Sequence, residues 1–400
     1  MQVPIRYWIL ALLSFSTLVN YLDRQTLSVV VPMLRTEMSL SSAEYGNITT
    51  AFLIAYSAGQ ILAGGVVDRI GVRWGLAIFA GVWTLAAIAH GFAQTAGQLL
   101  ALRILLGLGE AGNWPAGVKA VSEWFSKSER AFSMGIFDGG SALGAILAPP
   151  LVAALTLTFG WRAAFFATGA LGFVWLGLWL VFYRSSPTAT AAPSKPGVVW
   201  EILVNQQLWS LMATRLLATP VWWFYVFWLP DYLGKGRGLS LREIGLFGWV
   251  PYVTVDLGKL VGGRLSDRLI AQGYESAISR KVVMGGAALC MTGGLFVVEA
   301  ASAASALAWV SLATFGFGMW SANILALHAD LFDSSTIASA VGWTTAASSI
   351  GGAAFTWLTG RVVDSQGYGL VFAMAGSAAL FAFGVLWFGV FTPTRREAVT

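Results

Sequence analysis

The chain has 400 residues, of which 57% are hydrophobic and only 11% carry a charged side chain, and its mean hydropathy is +0.71. Soluble domains carry about 25% charged residues, so this composition excludes an ordinary soluble protein and indicates a polytopic membrane protein. The net charge of +5 is concentrated on no soluble module, so we assign it to membrane topology and not to nucleic-acid binding. A single cysteine, Cys290, excludes an internal disulfide and a cysteine-based metal cluster, and two histidines are too few for a histidine-rich metal site.

Apolar segments of membrane-spanning length recur along the whole chain, which predicts helices and not barrel strands. The first segment contains Asp23 and Arg24 and has no small-residue cleavage site, so it is expected to remain as an uncleaved helix. Lys and Arg are more frequent in the loops that share a side with the amino terminus, which predicts that both termini are cytoplasmic. The predicted spans are 8–32, 44–66, 74–93, 98–119, 131–155, 161–183, 207–233, 243–265, 281–299, 304–326, 338–360 and 368–391.

These twelve spans fall into two sets of six. The segment between them, residues 184–200, is rich in Pro, Ala, Ser and Thr, which is typical of a polar linker. An internal repeat supports the division, because LSSAEYG at 40–46 matches LSLREIG at 239–245. We therefore predict two related six-helix bundles, 1–183 and 201–400, with a binding site between them near the membrane midplane.

The two copies of this repeat are 199 positions apart, and the same separation relates two glycine-rich turns that each carry an Asp-Arg pair. The first, GGVVDRIGVR at 64–73, is predicted to be a tight cytoplasmic turn, in which glycines permit close approach and Asp68 caps a helix end or pairs with an arginine. A generic charged loop at the membrane surface is the alternative. We assign the two turns to a cytoplasmic gate formed by Gly64, Asp68, Arg69, Arg73, Gly263, Asp267 and Arg268.

Two ionisable residues, Arg103 and Glu110, lie inside the apolar run of the fourth predicted span. A charge near the bilayer centre costs about 2.5–3.5 kcal/mol on insertion scales, so such residues usually face a water-filled cavity or a partner. Their spacing of seven residues is two helical turns, which places both on one face about 10 Å apart. This face is the first candidate for a site.

These features together resemble the major facilitator superfamily. GGVVDRIGVR is similar to its signature loop between helices 2 and 3, and GGRLSDR at 262–268 is similar to the weaker copy between helices 8 and 9. Other motifs are similar to the anion:cation symporter branch, and within it to hexuronate transporters: NYLDR at 20–24, GEAGNWPAGVKAVSEWF at 109–125, FDGGSALGAILAPP at 137–150, GWRAAFF at 160–166, PVWWFYVFWLPDYL at 220–233 and VDLGKLVGG at 255–263. The resemblance covers nearly the whole chain and implies an all-α membrane protein with twelve transmembrane helices in two pseudo-symmetric six-helix bundles.

In the branch that the chain resembles, an Asp-Arg pair on helix 1 and an Arg and a Glu on helix 4 are associated with proton coupling and organic-anion binding. Carried over position by position, the resemblance implies these roles for Asp23, Arg24, Arg103 and Glu110. Tyr56 corresponds to a cavity tyrosine of the branch.

The sequence also departs from that pattern. Asp138 stands where Asn is expected before the glycines of helix 5, and Thr219 replaces the acidic residue usual before the proline of helix 7. Lys259 follows Asp256 where a small residue is common. These departures leave the substrate and the proton stoichiometry open.

A sugar acid offers a carboxylate and several hydroxyls, and the arginine fork suits the carboxylate because it donates two parallel charge-assisted hydrogen bonds. We expect Arg24 and Arg103 to bind the substrate, with Arg24 in direct contact. A structural ion pair of Arg24 with Asp23 or Glu110 is the alternative. Asp23 and Glu110 are the predicted proton carriers, because burial and a nearby arginine act in opposite directions on a carboxyl group.

Asp138 is predicted to be a third proton carrier. Its position among Gly135, Gly139, Gly140 and Gly144 also fits a buried acid at a close helix contact, and the spacing of Gly135, Gly140 and Gly144 favours helix packing over a ligand cradle. The same interpretation applies to Gly342 and Gly351.

Aromatic and amide side chains are the candidates for contact with hydroxyls and ring faces. Interfacial anchoring or packing is the alternative for each aromatic residue. Arg215 and Lys119 are expected only to extend their charged ends toward the membrane surface. The candidates for the cavity are Tyr21, Tyr56, Asn113, Trp114, Trp223, Tyr225, Trp320 and Asn323.

The functional hypothesis is proton-coupled uptake of a small organic anion, most closely a hexuronate or related sugar acid, by a monomer in the bacterial inner membrane working by alternating access. The chain shows no Walker motif, so ATP is not expected to drive it, and no cofactor or metal is indicated. The alternatives are a proton-antiporting exporter of drugs or metabolites and a sensor built on a transporter scaffold. A membrane enzyme is disfavoured, because nothing pairs a Ser or Cys nucleophile with a histidine.

Overall fold

A computed structural model describes residues 5–126, 129–184, 202–333 and 336–390 of the chain. Within these ranges the regular secondary structure is helical and contains no strand, so the predicted all-α fold class is confirmed. The predicted linker 184–200 lies outside the described residues, apart from Arg184.

The helices are named here in chain order. In the first half they are α1 (Ile5–Met38), α2 (Ser42–His90), α3 (Ala96–Glu110), α4 (Asn113–Trp124), α5 (Arg130–Phe159) and α6 (Trp161–Phe182). In the second half they are α7 (Gln206–Ala218), α8 (Pro220–Asp231), α9 (Leu241–Phe247), α10 (Val250–Ala271), α11 (Ser276–Met291), α12 (Ala303–Leu331), α13 (Ile337–Gln366) and α14 (Tyr368–Gly389). A π-helical turn at Tyr232–Gly236 follows α8, and a 3-10 turn at Thr292–Phe296 follows α11.

Every predicted span falls on one of these helices or on two consecutive ones. The predicted spans 44–66 and 74–93 share α2, whose backbone bends at Gly71 with φ 80° and ψ 163°, a conformation that favours glycine. In the described part of the chain, seven helical segments are long and apolar enough to cross a membrane by length and composition. Some other predicted spans are divided between two shorter helices, as with α3 and α4.

The internal repeat has the same local structure in both copies. The Ser41 side chain accepts a hydrogen bond from the Glu44 backbone amide while the Glu44 carboxylate accepts one from the Ser41 amide, and this capping box begins α2. Ser240 and Glu243 form the same box at the start of α9. The predicted spans 44–66 and 243–265 therefore begin in the first turn of α2 and α9.

The chain divides into two compact units. Unit 1 comprises Met1–Pro193, Val226–Trp249 and Thr356–Asp364, and unit 2 comprises Ser194–Tyr225, Val250–Phe355 and Ser365–Thr400. Two segments from the second half of the sequence thus pack in unit 1, and the division into bundles 1–183 and 201–400 stays a prediction.

The core of unit 1 is organised around α1, which is buried along its middle turns. It packs against α5 at two glycines: a Cβ on Gly140 would collide with the carbonyl oxygen of Ser14, and one on Gly144 would lie 2.5 Å from that of Leu18. Close approach of α3 to α2 depends similarly on Gly107, where a Cβ would lie 2.6 Å from the Phe52 carbonyl oxygen. Small residues that let backbones approach in this way are typical of membrane helix interfaces.

In unit 2, glycines also allow α10 and α12 to approach each other closely. A Cβ on Gly258 would collide with the carbonyl oxygen of Phe315, and one on Gly318 with that of Val255. Gly351 of α13 similarly lies against the backbone of α7 at Leu216.

The predicted packing role is confirmed for three of the glycines and wrong for two. Gly140, Gly144 and Gly351 lie against a neighbouring backbone, whereas a Cβ on Gly135 or Gly342 would meet nothing within 4 Å. The difference arises because spacing alone does not say which side of a helix faces its neighbour.

We expect the substitution Gly140→Ala to destabilise the protein, because the added methyl group must displace α1 from α5. Overpacking of this kind typically costs about 1–3 kcal/mol. Gly139→Ala is the matched control, since its Cβ would meet nothing within 4 Å. The midpoint of thermal unfolding in detergent should fall for Gly140→Ala only, and equal midpoints for the two variants would contradict the packing assignment.

Candidate functional site

A buried ion pair joins α1 to the end of α3. The Nε and Nη2 groups of Arg24 donate to the same oxygen of Glu110, Oε2, at 2.9 and 2.7 Å. The two side chains are 1% and 0% exposed. Nη2 also donates to Asn20 Oδ1 at 3.2 Å, and the guanidinium carbon lies 4.7 Å from the ring centre of Tyr21 and 4.8 Å from that of Tyr56. The ion pair that the sequence allowed as an alternative for Arg24 is therefore present, and direct contact of Arg24 with substrate stays a prediction.

Arg103 is buried beside this pair but uses its guanidinium differently. Its Nη1 donates to the backbone carbonyl of Arg24 at 3.0 Å. Its Nε and Nη2 groups are buried and have no hydrogen-bond partner among the described residues. These two groups form one edge of the guanidinium fork, the same edge that Arg24 presents to Glu110. Arg103 therefore offers an unused bidentate donor inside unit 1.

Two carboxyl groups share the same interior. Asp23 is 1% exposed and lies beside the Thr168 hydroxyl of α6. It lies close enough to Glu110 and Arg103 for their charges to interact. The second oxygen of Glu110, Oε1, is also buried and without a partner among the described residues. The predicted grouping of Asp23, Arg24, Arg103 and Glu110 is thus present in the structure.

The helix is interrupted at this point, because α3 ends at Glu110 and α4 begins at Asn113. Asn113 is fully buried, and its Oδ1 accepts a hydrogen bond of 2.8 Å from the Ser16 hydroxyl on α1. Its Nδ2 has no partner among the described residues. The neighbouring Trp114 packs edge-on against Phe137 of α5, with ring centres 5.0 Å apart. The hydrogen bond from Ser16 therefore joins Asn113 to α1, the helix that carries Asp23 and Arg24, whereas Trp114 makes a packing contact.

Two polar residues of this interior were not predicted from the sequence. Gln25 follows Arg24 on α1, is 0% exposed, and neither amide atom has a hydrogen-bond partner in the described residues. His90 is fully buried, its Nδ1 lies 2.7 Å from the carbonyl oxygen of Ala86, and it lies within electrostatic reach of Arg103. Gln25 could have been predicted from the sequence, since a polar amide directly after an Asp-Arg pair in an apolar helix also requires a partner.

Asp138 is half-buried on α5 and accepts a hydrogen bond of 3.1 Å from the Ser141 hydroxyl, one turn along the same helix. Its role as a third proton carrier stays a prediction.

The other predicted cavity residues belong to unit 2. Trp320 and Asn323 of α12 are each 1% exposed, and Trp320 Nε1 and Asn323 Oδ1 have no hydrogen-bond partner among the described residues. Trp223 lies against Gly352 of α13, where a Cβ would collide with its ring. Tyr225 packs beside Phe372 and Phe224. Trp320 and Asn323 therefore retain unused polar groups, while Trp223 and Tyr225 contribute aromatic packing.

The two stretches that carry the Asp-Arg pairs are helical, and the predicted tight turn at 64–73 is a bend at Gly71 within α2, while 262–268 lies within α10. The Asp and Arg side chains of both pairs are exposed. In the first stretch the Asp68 carboxylate pairs with Lys119 Nζ of α4 at 2.7 Å, and Arg73 Nη2 donates to the carbonyl oxygen of Leu180 at 2.7 Å. The expectation that Lys119 only extends to the membrane surface is therefore wrong, because it forms an ion pair. Assignment of the first stretch and of its copy at Gly263, Asp267 and Arg268 to a gate stays a prediction.

A second set of polar contacts in unit 1 surrounds the connection between α1 and α2. Arg35 donates from Nε and Nη2 to the two oxygens of Asp231 at 2.6 and 2.7 Å, and its Nη1 donates to the Leu40 carbonyl oxygen at 2.9 Å. Asp364 accepts hydrogen bonds from the backbone amides of Ser42 and Ala43, at 3.0 and 2.7 Å. A carboxylate at the first amides of a helix is favourable because the helix dipole is positive there. These contacts tie α1 and α2 to two segments from the second half of the sequence.

Sequence comparison places the chain among known proteins. A family model described as "Major Facilitator Superfamily" matches residues 13–356. The chain is 31% identical to the "Hexuronate transporter" of Escherichia coli (strain K12), over 96% of this chain and 93% of that protein. It is 34% identical to the "Galacturonate transporter" of Dickeya chrysanthemi, over 73% of this chain and 92% of that protein.

Structural comparison agrees at the level of the fold. A solved bacterial homologue of the human lysosomal transporter Spinster, in an inward-facing and occupied conformation, is similar with a TM-score of 0.82 and 16% sequence identity, over 98% of this chain and 100% of that chain.

We expect Arg35→Gln to lower the thermal unfolding midpoint strongly, because it leaves the fully buried Asp231 without its bidentate arginine. Breaking a buried pair in this way typically costs about 3–5 kcal/mol. The matched control is Arg162→Gln, whose pair with Glu37 has side chains 42% and 43% exposed and should be worth about 1 kcal/mol or less. Adding Asp231→Asn to Arg35→Gln should restore part of the loss. Equal midpoints for Arg35→Gln and Arg162→Gln would contradict the structural role of the buried pair.

Proposed function

Because the chain belongs to the Major Facilitator Superfamily, it is a membrane transporter and not an enzyme, and we propose that it takes up a small organic anion together with protons. The proposed substrate is a hexuronate or related sugar acid. The proposed location is a bacterial inner membrane with both termini cytoplasmic, where the protein works by alternating access.

The observation that carries the proposal is the unused fork of Arg103. A buried guanidinium whose Nε and Nη2 groups lack partners among the described residues is a receptor for a planar oxyanion. A carboxylate in this position would accept two parallel hydrogen bonds and would offset a buried charge. Arg103 is thus the proposed first contact, and the predicted contact with Arg24 would follow if its bond to Glu110 opened.

The rest of the cluster suits a hydroxylated molecule. Gln25, Asn113 and Asn20 supply amide groups, and the rings of Tyr21 and Tyr56 flank the Arg24 guanidinium. Binding sites for small molecules typically combine aromatic walls with a few convergent polar groups. The names of the two bacterial relatives support hexuronates within this class.

Proton coupling follows from charge balance in the cluster. Two arginines and two carboxyl groups, Asp23 and Glu110, are formally neutral together, so a monoanionic substrate would add one negative charge to a buried site. Such a charge is costly in an apolar interior, and uptake of one proton by Asp23 or Glu110 would restore neutrality. We therefore assign these two residues as proton carriers.

The energetics are consistent with this assignment. A membrane potential supplies about 2.3 kcal/mol per elementary charge per 100 mV. A monoanion moving with one proton carries no net charge and would be driven by the pH gradient and its own gradient. With two protons, the potential would contribute as well.

For the substrate site, we expect Arg103→Gln to lower uptake of labelled galacturonate into proteoliposomes under an acid-outside gradient. Two charge-assisted hydrogen bonds are together worth about 3 kcal/mol or more, which corresponds to about a hundredfold in affinity. Arg162→Gln removes an exposed charge of the same type and should transport like the wild type. Competition by unlabelled glucuronate, galactonate, glucarate and lactate would define the substrate. If the wild type moved no sugar acid, while a hydrophobic cation moved outward against protons, the chain would instead be an exporter.

For proton coupling, we expect Glu110→Gln and Asp23→Asn to lose gradient-driven accumulation while retaining galacturonate binding. At least one of them should also retain exchange of internal for external galacturonate, since exchange requires no net proton movement. The measurement is uptake with and without the gradient beside counterflow at equal pH. Unchanged gradient-driven accumulation in both variants would exclude these residues as carriers, and wild-type binding without counterflow would indicate a sensor.

A further inference from the structure

A half-buried arginine of unit 2, Arg215, lies in the last turn of α7. Arg215 Nη1 donates to the hydroxyl groups of Thr344 and Thr345 on α13, at 3.2 Å each. Its Nε group is buried and has no hydrogen-bond partner among the described residues. The expectation that Arg215 only extends to the membrane surface is therefore wrong, because its guanidinium is held inside the unit by two threonines.

The neighbouring ionisable group does not neutralise this charge. His328 is 0% exposed, its Nδ1 lies 2.6 Å from the Ile324 carbonyl oxygen, and its Nε2 lies 2.9 Å from the Thr344 hydroxyl. A carbonyl oxygen can only accept, so Nδ1 carries a proton and Nε2 can accept one from Thr344, whose hydroxyl has the Val341 carbonyl oxygen as its other acceptor at 3.1 Å. A neutral imidazole satisfies both bonds, and a second positive charge beside Arg215 would be repelled. The cluster therefore carries the single positive charge of Arg215.

Three other basic side chains of unit 2 have an acidic partner or accepting carbonyl groups. Arg280 pairs with Asp330, and Lys259 pairs with Asp256. Lys281 donates to the backbone carbonyls of Trp387 and Val390 at the end of α14. Among the described contacts, those of Arg215 are with neutral hydroxyls. Hydroxyl dipoles compensate a buried charge less completely than a carboxylate does.

We propose that Arg215, Thr344 and Thr345 form a second anion-binding site, within unit 2, for a carboxylate or another small oxyanion. The anion would take the Nε edge of the guanidinium, and the Thr345 hydroxyl, already placed beside it, would donate a further hydrogen bond. This site belongs to a different unit from the Arg103 fork. Its assignment goes beyond the proposed function because it rests on anion chemistry and not on the identity of a sugar acid.

The competing explanation is structural. A positive charge in the last turn of α7 interacts favourably with the helix dipole, worth about 0.3–1 kcal/mol. In that case Arg215 would stabilise the fold to the same extent whether or not an anion were present. Dependence on anion concentration therefore separates the two explanations.

The test uses the full chain, purified in detergent, with sodium galacturonate or sodium sulfate titrated against sodium chloride at equal ionic strength. A ligand that binds the folded state raises the unfolding midpoint in proportion to its occupancy. Arg103→Gln removes the first site, and Arg215→Gln or Arg264→Gln is then added. Arg264 is an exposed arginine of unit 2, so its substitution is the control for loss of one charge.

We expect the Arg103→Gln protein to keep a saturable rise of the midpoint with anion concentration. Adding Arg215→Gln should increase the half-saturating concentration at least tenfold, and adding Arg264→Gln should leave it unchanged. Thr345→Val, which keeps the shape of the side chain, should also increase it, and this variant serves as the test if Arg215→Gln fails to fold.

Identical anion dependence in the Arg215→Gln and Arg264→Gln proteins would overturn the proposal, and so would a lower midpoint of Arg215→Gln with no change in half-saturation. A sulfate response that depends on Arg215, with no galacturonate response in any protein, would support the site while rejecting the proposed substrate.

Discussion

The burial of the Arg24–Glu110 pair is the constraint on which the arrangement of unit 1 depends. Both side chains are essentially inaccessible, and removing two ions from water is repaid only when their geometry and hydrogen bonds are good. The Arg24 fork and the single oxygen of Glu110 therefore fix where α1 lies against the end of α3. The glycines at the α1–α5 and α2–α3 contacts serve the same end, because they let the surrounding helices approach closely enough to exclude water from the pair.

Arg103 and Asp23 follow from this pairing. Since Glu110 is engaged by Arg24, Arg103 makes its described hydrogen bond to a backbone carbonyl and keeps one edge of its fork unused. Asp23 lies beside the Thr168 hydroxyl and close enough to Arg103 to interact with it electrostatically, but it forms no direct ion pair among the described residues. In the proposed mechanism, an anion would bind the unused edge of Arg103, and a proton would bind Asp23 or Glu110. A fully paired set of four charges would bind neither.

The sequence predicted which charged residues lie together in the interior better than it predicted their partners. Asp23, Arg24, Arg103 and Glu110 could be found because an ionisable group in an apolar helix is costly wherever it lies. The sequence could not show whether Arg24 or Arg103 binds Glu110. The answer depends on the break between α3 and α4 and on where α1 crosses these helices. Contacts such as Arg35 with Asp231 join residues far apart in the chain, and the sequence pattern carries no signal for them. The fold was easier to predict from the sequence than these contacts, since helix length, capping boxes and glycine-rich turns are local features.

The two units differ in how they can balance an anion, and this difference bears on proton stoichiometry. In unit 1 the arginines are matched by two carboxyl groups, so an incoming anion makes the cluster negative unless a carboxyl group is protonated. In unit 2 the charge of Arg215 is accompanied by hydroxyl groups and by a histidine whose bonds are satisfied in its neutral form, so an anion there neutralises the site without a proton. Proton uptake would therefore accompany binding at Arg103 and not binding at Arg215. The number of protons carried per substrate would then be set by Asp23 and Glu110, while a site such as that at Arg215 would affect affinity alone.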